Sequence, residues 1–155
     1  MVAMTERFPL PLKAQLLDDR ETWRLLEAFI YHDAQHGRIE VPAHFDTDFA
    51  SVRPLRNIAV GLLVLSLVIG GVLPVLGAVV GTASYGVLAL HASVVGYGHA
   101  AATIHDHLYE TAELSRKGSD QVFYHALRAS GVARWRAWLM YVGVRLGGHW
   151  RYVRQ

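Results

Sequence analysis

From Asn57 to Gly98 the chain carries no Asp, Glu, Lys or Arg. Such a run has to bury its side chains, and a chain of 155 residues has little interior to offer about forty of them. A bilayer core is crossed by about 20 apolar residues, so two crossings fit. The expected structure is a transmembrane helical hairpin, 54–72 out and 75–97 back, broken at Gly70-Gly71-Val72-Leu73-Pro74. The second arm is the less apolar, with Thr82, Ser84, Tyr85, His91 and Ser93. Its small residues, among them Gly77, Ala78, Gly81, Ala83 and Gly86, permit close helix approach. A pair of buried core helices is the competing reading. Arg53 and Arg56 flank the run and its tip has no positive charge, which by the positive-inside rule sets both termini on the cytoplasmic side.

A hairpin returns the chain to the side it left. Residues 1–53 and 99–155 are therefore expected to build one domain around the insert at 54–98. The fold class is α+β: a small N-terminal β-sheet packed on a C-terminal three-helix unit. Phe8-Pro-Leu-Pro-Leu12 reads as extended, because proline fixes its own φ and restricts the residue before it. Asp18-Asp19 signals a turn. Thr22–Leu26 and Phe29–Tyr31 read as a strand bulged at Glu27-Ala28, with a helix over Glu21–Phe29 as the alternative. A turn at Gln35-His36-Gly37 leads into Arg38–Val41, whose polar and apolar residues alternate. After Gly98, helices are expected over His99–Leu114, Asp120–Ser130 and Val132–Leu146. Arg116-Lys117-Gly118 is read as the first break, Ser119 as an N-cap and Gly131 as a closing residue.

The absence of cysteine excludes disulfides, thiolate metal sites and cysteine nucleophiles. The first twenty residues lack a secretory pattern, so export by the usual route is not expected. Lys and Arg total 15 against 13 Asp and Glu, and the arginines near the C-terminus are interleaved with Trp and Tyr. That mixture fits a membrane interface at least as well as the basic stripe of a nucleic-acid binder.

Chemistry concentrates at Ile104-His105-Asp106-His107-Leu108-Tyr109. On a helix His105 and Tyr109 share a face, and Asp106 lies about 100° away. Asp120 on the next helix is placed to bond the imidazole, fixing its tautomer and stabilising its protonated form. Asp106 is then available to hold a hard cation such as Ca²⁺, which would polarise a carbonyl under attack by water. The same residues also suit a structural polar pair. Asp48, in Thr47-Asp48-Phe49-Ala50-Ser51, is a second candidate metal ligand or a cap. Ser51 lacks a nucleophile-elbow pattern. His91 falls inside the second arm of the uncharged run; His99 and His107 flank the dyad and are expected to face solvent, with a metal cluster as the alternative.

Two resemblances bear on these residues. Ile39–Val52, Ala101–Tyr109 and Ser119-Asp120 with Phe123 resemble, in order, the motifs of the phage and prophage domain-of-unknown-function family 1353. His44 and Arg53 depart from its pattern at a usual glycine and a frequent proline, and the insert is longer than the family's connection. Locally, His105-Asp106-x-x-Tyr109 followed by Asp120-x-x-Phe123 is similar to the paired-helix site of phospholipase A2. That likeness implies His105 as base, Asp106 as calcium ligand, Asp120 as the group orienting His105, and Tyr109 as a supporting donor. It lacks that family's disulfides, and only Gly96-Tyr97-Gly98 stands near for its glycine-rich loop. The resulting expectation is a phage-type protein of the bacterial inner membrane that hydrolyses a lipid-ester-like substrate. The alternative is a non-enzymatic membrane protein acting in infection, lysis or exclusion through a host membrane protein. A His-Asp phosphohydrolase would need another upstream histidine. The expected partner surface is the lipid bilayer, with no nucleic acid.

Overall fold

The computed structural model of the chain describes residues 7–49, 54–94, 98–147 and 152, with only the backbone described for 54–59 and 90–94. The chain divides into two compact units, residues 1–51 with 97–155, and residues 52–96. The architecture is α+β.

In the first unit, β1 (Ala14–Leu16), β2 (Trp23–Leu25) and β5 (Asp46–Thr47) form an antiparallel sheet in the order β1-β2-β5. β3 (Phe29–Asp33) and β4 (Gly37–Val41) form a separate hairpin, registered by Phe29 opposite Val41 and Tyr31 opposite Ile39. The expected single sheet is thus two. The run 22–31 is broken at Glu27-Ala28: the Leu26 N–H still extends the β1–β2 pairing to the Lys13 carbonyl at 2.9 Å, and Phe29 begins the pairing with β4. Alternation decides the inner face of the hairpin: Phe29, Tyr31, Ile39 and Val41 are buried, while His32 and Glu40 are exposed.

Three helices follow, labelled here α3 (His99–Thr111), α4 (Arg116–Ala129) and α5 (Arg134–Gly147). Ala101, Ile104 and Leu108 of α3 share the core with Val122, Phe123, Ala126 and Leu127 of α4 and Ala137, Met140 and Val144 of α5. α3 also packs on β4 and β5, and α4 on β3. Gly98 starts α3 in a left-handed conformation, φ 86°, and a Cβ there would lie 2.5 Å from Leu127 Cδ2. Only glycine meets both conditions at that corner. α4 begins earlier than expected. Ser115 is the N-cap, its Oγ accepting from the Gly118 N–H at 3.2 Å, so Arg116-Lys117-Gly118 opens the helix and Ser119 is buried within it.

The second unit holds two helices, α1 (Pro54–Gly70) and α2 (Pro74–Val94), joined by a tight turn. The transmembrane reading is overturned here, and with it the inner-membrane location with cytoplasmic termini. Among the described residues no helix is long and apolar enough to cross a membrane. The 17 residues of α1 rise only about 25 Å at 1.5 Å each, short of the ~30 Å hydrocarbon core. α2 has 21 residues, with Gly77, Gly81, Thr82, Ser84 and Gly86 along it. Thr82 and Ser84 return their hydroxyls to the carbonyls of Ala78 and Gly81 at 2.9 and 2.7 Å.

The two helices meet at glycine. A Cβ on Gly77 would stand 2.4 Å from Gly70 Cα and 2.9 Å from the Ser66 carbonyl oxygen, whereas one on Gly86 meets nothing within 4 Å. Gly77→Ala is therefore expected to destabilise the helix pair by about 1–3 kcal/mol through overpacking against backbone. Gly86→Ala should be neutral or stabilising by up to ~1 kcal/mol. Urea melts of the two variants, followed by circular dichroism, check the contrast; equal midpoints would refute it.

Candidate active site

α3 and α4 bring His105, Tyr109 and Asp120 together because the first two stand one helical turn apart and face the first turns of α4. His105 Nε2 lies 2.8 Å from Asp120 Oδ1, and the Tyr109 hydroxyl donates to that same oxygen at 2.6 Å. Arg145 of α5 donates from Nη1 to Asp120 Oδ2 at 2.7 Å. Asp120 is fully buried and His105 is 3% exposed. The imidazole is held between rings, 4.1 Å from Tyr109 and 4.9 Å from Phe123 by centroid. Tyr152 sets its edge against Tyr109 and donates its hydroxyl to the Leu114 carbonyl.

These contacts fix charge. Burial by itself would raise the Asp120 carboxyl, but hydrogen bonds from His105, Tyr109 and Arg145 outweigh it and hold the pKa below the ordinary value. Tyr109 moves the other way: burial, then its bond to Asp120, raises the phenol. Both groups thus keep the forms that the network requires, a carboxylate accepting from a neutral phenol.

Asp106 is turned away from the dyad toward β5, where the Thr47 hydroxyl donates to its Oδ2 at 2.6 Å. Thr47 in turn accepts from the Phe49 N–H at 3.2 Å. Asp48, half-buried, is therefore adjacent in sequence to the residue that holds Asp106. Among the described residues no group of three or more His, Asp or Glu side chains is arranged to hold a metal ion.

The flanking histidines do not both face solvent. His107 is buried, with the Phe45 ring on edge to it and Nε2 3.7 Å from Glu113. Burial depresses its pKa, against the opposing charges of Glu113 and Glu110. His99 is exposed, with its ring 4.7 Å from that of Phe49. Ser51, Gly96, Tyr97, Trp150 and the side chain of His91 lie outside the described residues.

Two further polar centres escaped the sequence reading. Arg145 had only its place near the end of a helix to mark it. Asp33 stands just before the turn at Gln35-His36-Gly37, and its buried carboxylate ties β3 to α4. Its Oδ1 accepts from the N–H groups of Gln35 and His36, at 2.8 and 3.0 Å, and sits 3.1 Å from His36 Nδ1. Its Oδ2 lies 2.9 Å from His125 Nδ1 and accepts weakly from Tyr31 at 3.4 Å. The signal was available: an Asx pattern at Asp33-x-Gln35-His36.

The family model described as protein of unknown function (DUF1353) matches residues 23–63 and 85–144, more than half of the chain. No curated protein and no solved structure matches it.

Proposed function

The chain belongs to the DUF1353 family of proteins of unknown function, and on that premise we propose that it is a hydrolase in which His105 activates water against an acyl ester. The observation that supports this reading is the fixed His105 ring, anchored through Nε2 on a carboxylate that also accepts from Tyr109 and Arg145. In the proposed step the His105 imidazole takes a proton from water as the water oxygen attacks the ester carbonyl. Asp120 stabilises the imidazolium that forms, and the proton then passes to the leaving alkoxide. Tyr109 and Arg145 keep Asp120 ionised and in place. The local likeness to phospholipase A2 favours a lipid ester as the substrate class. It also implies calcium on Asp106, whose Oδ2 accepts from the Thr47 hydroxyl. The proton transfers rest on His105 and Asp120.

The burial of His105 and Asp120 favours a second reading, in which the network only joins three helices and the protein acts through contacts with other proteins.

The two readings separate experimentally. Wild-type protein is expected to release acid from a short-chain ester or dispersed phospholipid. His105→Gln should lose about 10²–10⁴-fold of that rate, the usual contribution of a positioned general base. Circular dichroism should show its helix content unchanged. No hydrolysis by wild type, or full activity in a folded His105→Gln variant, defeats the hydrolase reading.

A further inference from the structure

The outer face of α5 has no partner among the described residues. Ala137, Met140 and Val144 turn into the core. At about 100° per residue, Trp135, Trp138, Val142 and Leu146 line the opposite side. Trp135 is 52% exposed, Trp138 57% and Leu146 73%. Large aromatic side chains are usually well covered in a folded protein, and two in one helical turn make a patch with a purpose. Its surroundings are cationic. Arg134 is exposed beside it, and the Arg136 guanidinium lies 5.1 Å from the centroid of the Trp135 ring.

The charge is one-sided along the whole C-terminal segment. After Asp120 the chain contains Arg128, Arg134, Arg136, Arg145, Arg151 and Arg154, and no Asp or Glu. An apolar strip centred on two tryptophans and flanked by arginine matches a surface that is apolar below and anionic above. We propose that α5 docks in its own plane on an anionic phospholipid bilayer, with Trp135 and Trp138 at headgroup depth. Indole rings favour that depth, and arginines beside them draw to anionic headgroups. A nucleic-acid surface would instead have its cations along the centre of the strip, against the phosphates. Nothing in this arrangement crosses the membrane, and it is independent of whether His105 is a base.

The test is co-sedimentation of the full-length protein with vesicles of phosphatidylcholine alone and of phosphatidylcholine mixed with phosphatidylglycerol. Binding to the mixed vesicles only, weakened by salt, is expected. Arg134→Gln should reduce the affinity about fivefold. A Trp135→Ser, Trp138→Ser double variant should reduce it by ~tenfold or more. Both changes fall on exposed positions, so the helix signal should persist. Should the double variant unfold, quenching of wild-type tryptophan emission by brominated phospholipid takes its place, and absent quenching counts against docking. The proposal is overturned by any of three results: no binding to mixed vesicles, equal binding to neutral ones, or undiminished binding by the folded double variant. Binding of a labelled single-stranded oligonucleotide by protein that does not bind vesicles would assign the face to nucleic acid instead.

Discussion

Asp120→Ala is expected to destabilise the first unit by about 3–5 kcal/mol, the range for breaking a buried pair from one side. The effect is large because three donors lose their acceptor together. His105 and Tyr109 share one oxygen of Asp120 and Arg145 holds the other. His105 and Tyr109 are buried, so water does not readily replace what they lose. Arg145 is partly exposed and can resolvate. Asp120→Asn, which keeps the size but removes the charge, should fall between Ala and wild type. Urea unfolding monitored by tryptophan fluorescence reads all three proteins. A loss below ~1 kcal/mol for Asp120→Ala would mean that the network contributes little to the fold.

The second large effect is at Asp33, and it depends on pH. Burial would raise its carboxyl, but the bonds from the Gln35 N–H, His36 and His125 prevail and set the pKa at about 2, against an ordinary 3.8. A depressed folded pKa stabilises the native state above the unfolded value, and that stabilisation disappears as pH falls through the folded one. The side chain is fully covered, so the shift of nearly two units corresponds to roughly 2 kcal/mol. This contribution is complete above about pH 4 and is lost between pH 4 and 2. Asp33→Asn is therefore expected to be destabilised by about 2 kcal/mol or more at neutral pH, since it also forfeits charge-assisted bonds. The gap from wild type should narrow as pH approaches 2. Urea midpoints at pH 7, 4 and 2.5 check the trend; a gap that stays constant with pH would show that the charge of Asp33 is not responsible.

The arrangement of these two carboxylates marks what the sequence could and could not convey. His105, Tyr109 and Asp120 were legible as neighbours because helical spacing alone puts the first two on one face, and a short connection brings Asp120 alongside. Arg145 was not legible. It joins from a third helix 25 residues away, and local patterns say nothing of how α5 is rotated. The same limit hid the reach of Asp33 to His125, 92 residues on. Ser115 and Ser119 are both acceptable caps by residue type, and only the backbone distinguishes them. The uncharged run misled for a different reason. Hydropathy counts how apolar a segment is, but crossing a bilayer also needs unbroken length. The turn at Gly71-Val72-Leu73 interrupts the run and leaves α1 with 17 residues, too few to cross.

A single carboxylate that accepts from α3 at His105 and Tyr109, belongs to α4 and is clamped by α5 leaves those helices little freedom to fray one at a time. Detaching any of them uncovers Asp120 and weakens its hold on the other two. Amide protons across α3, α4 and α5 should accordingly exchange with solvent in one shared opening event, as a single cooperative block.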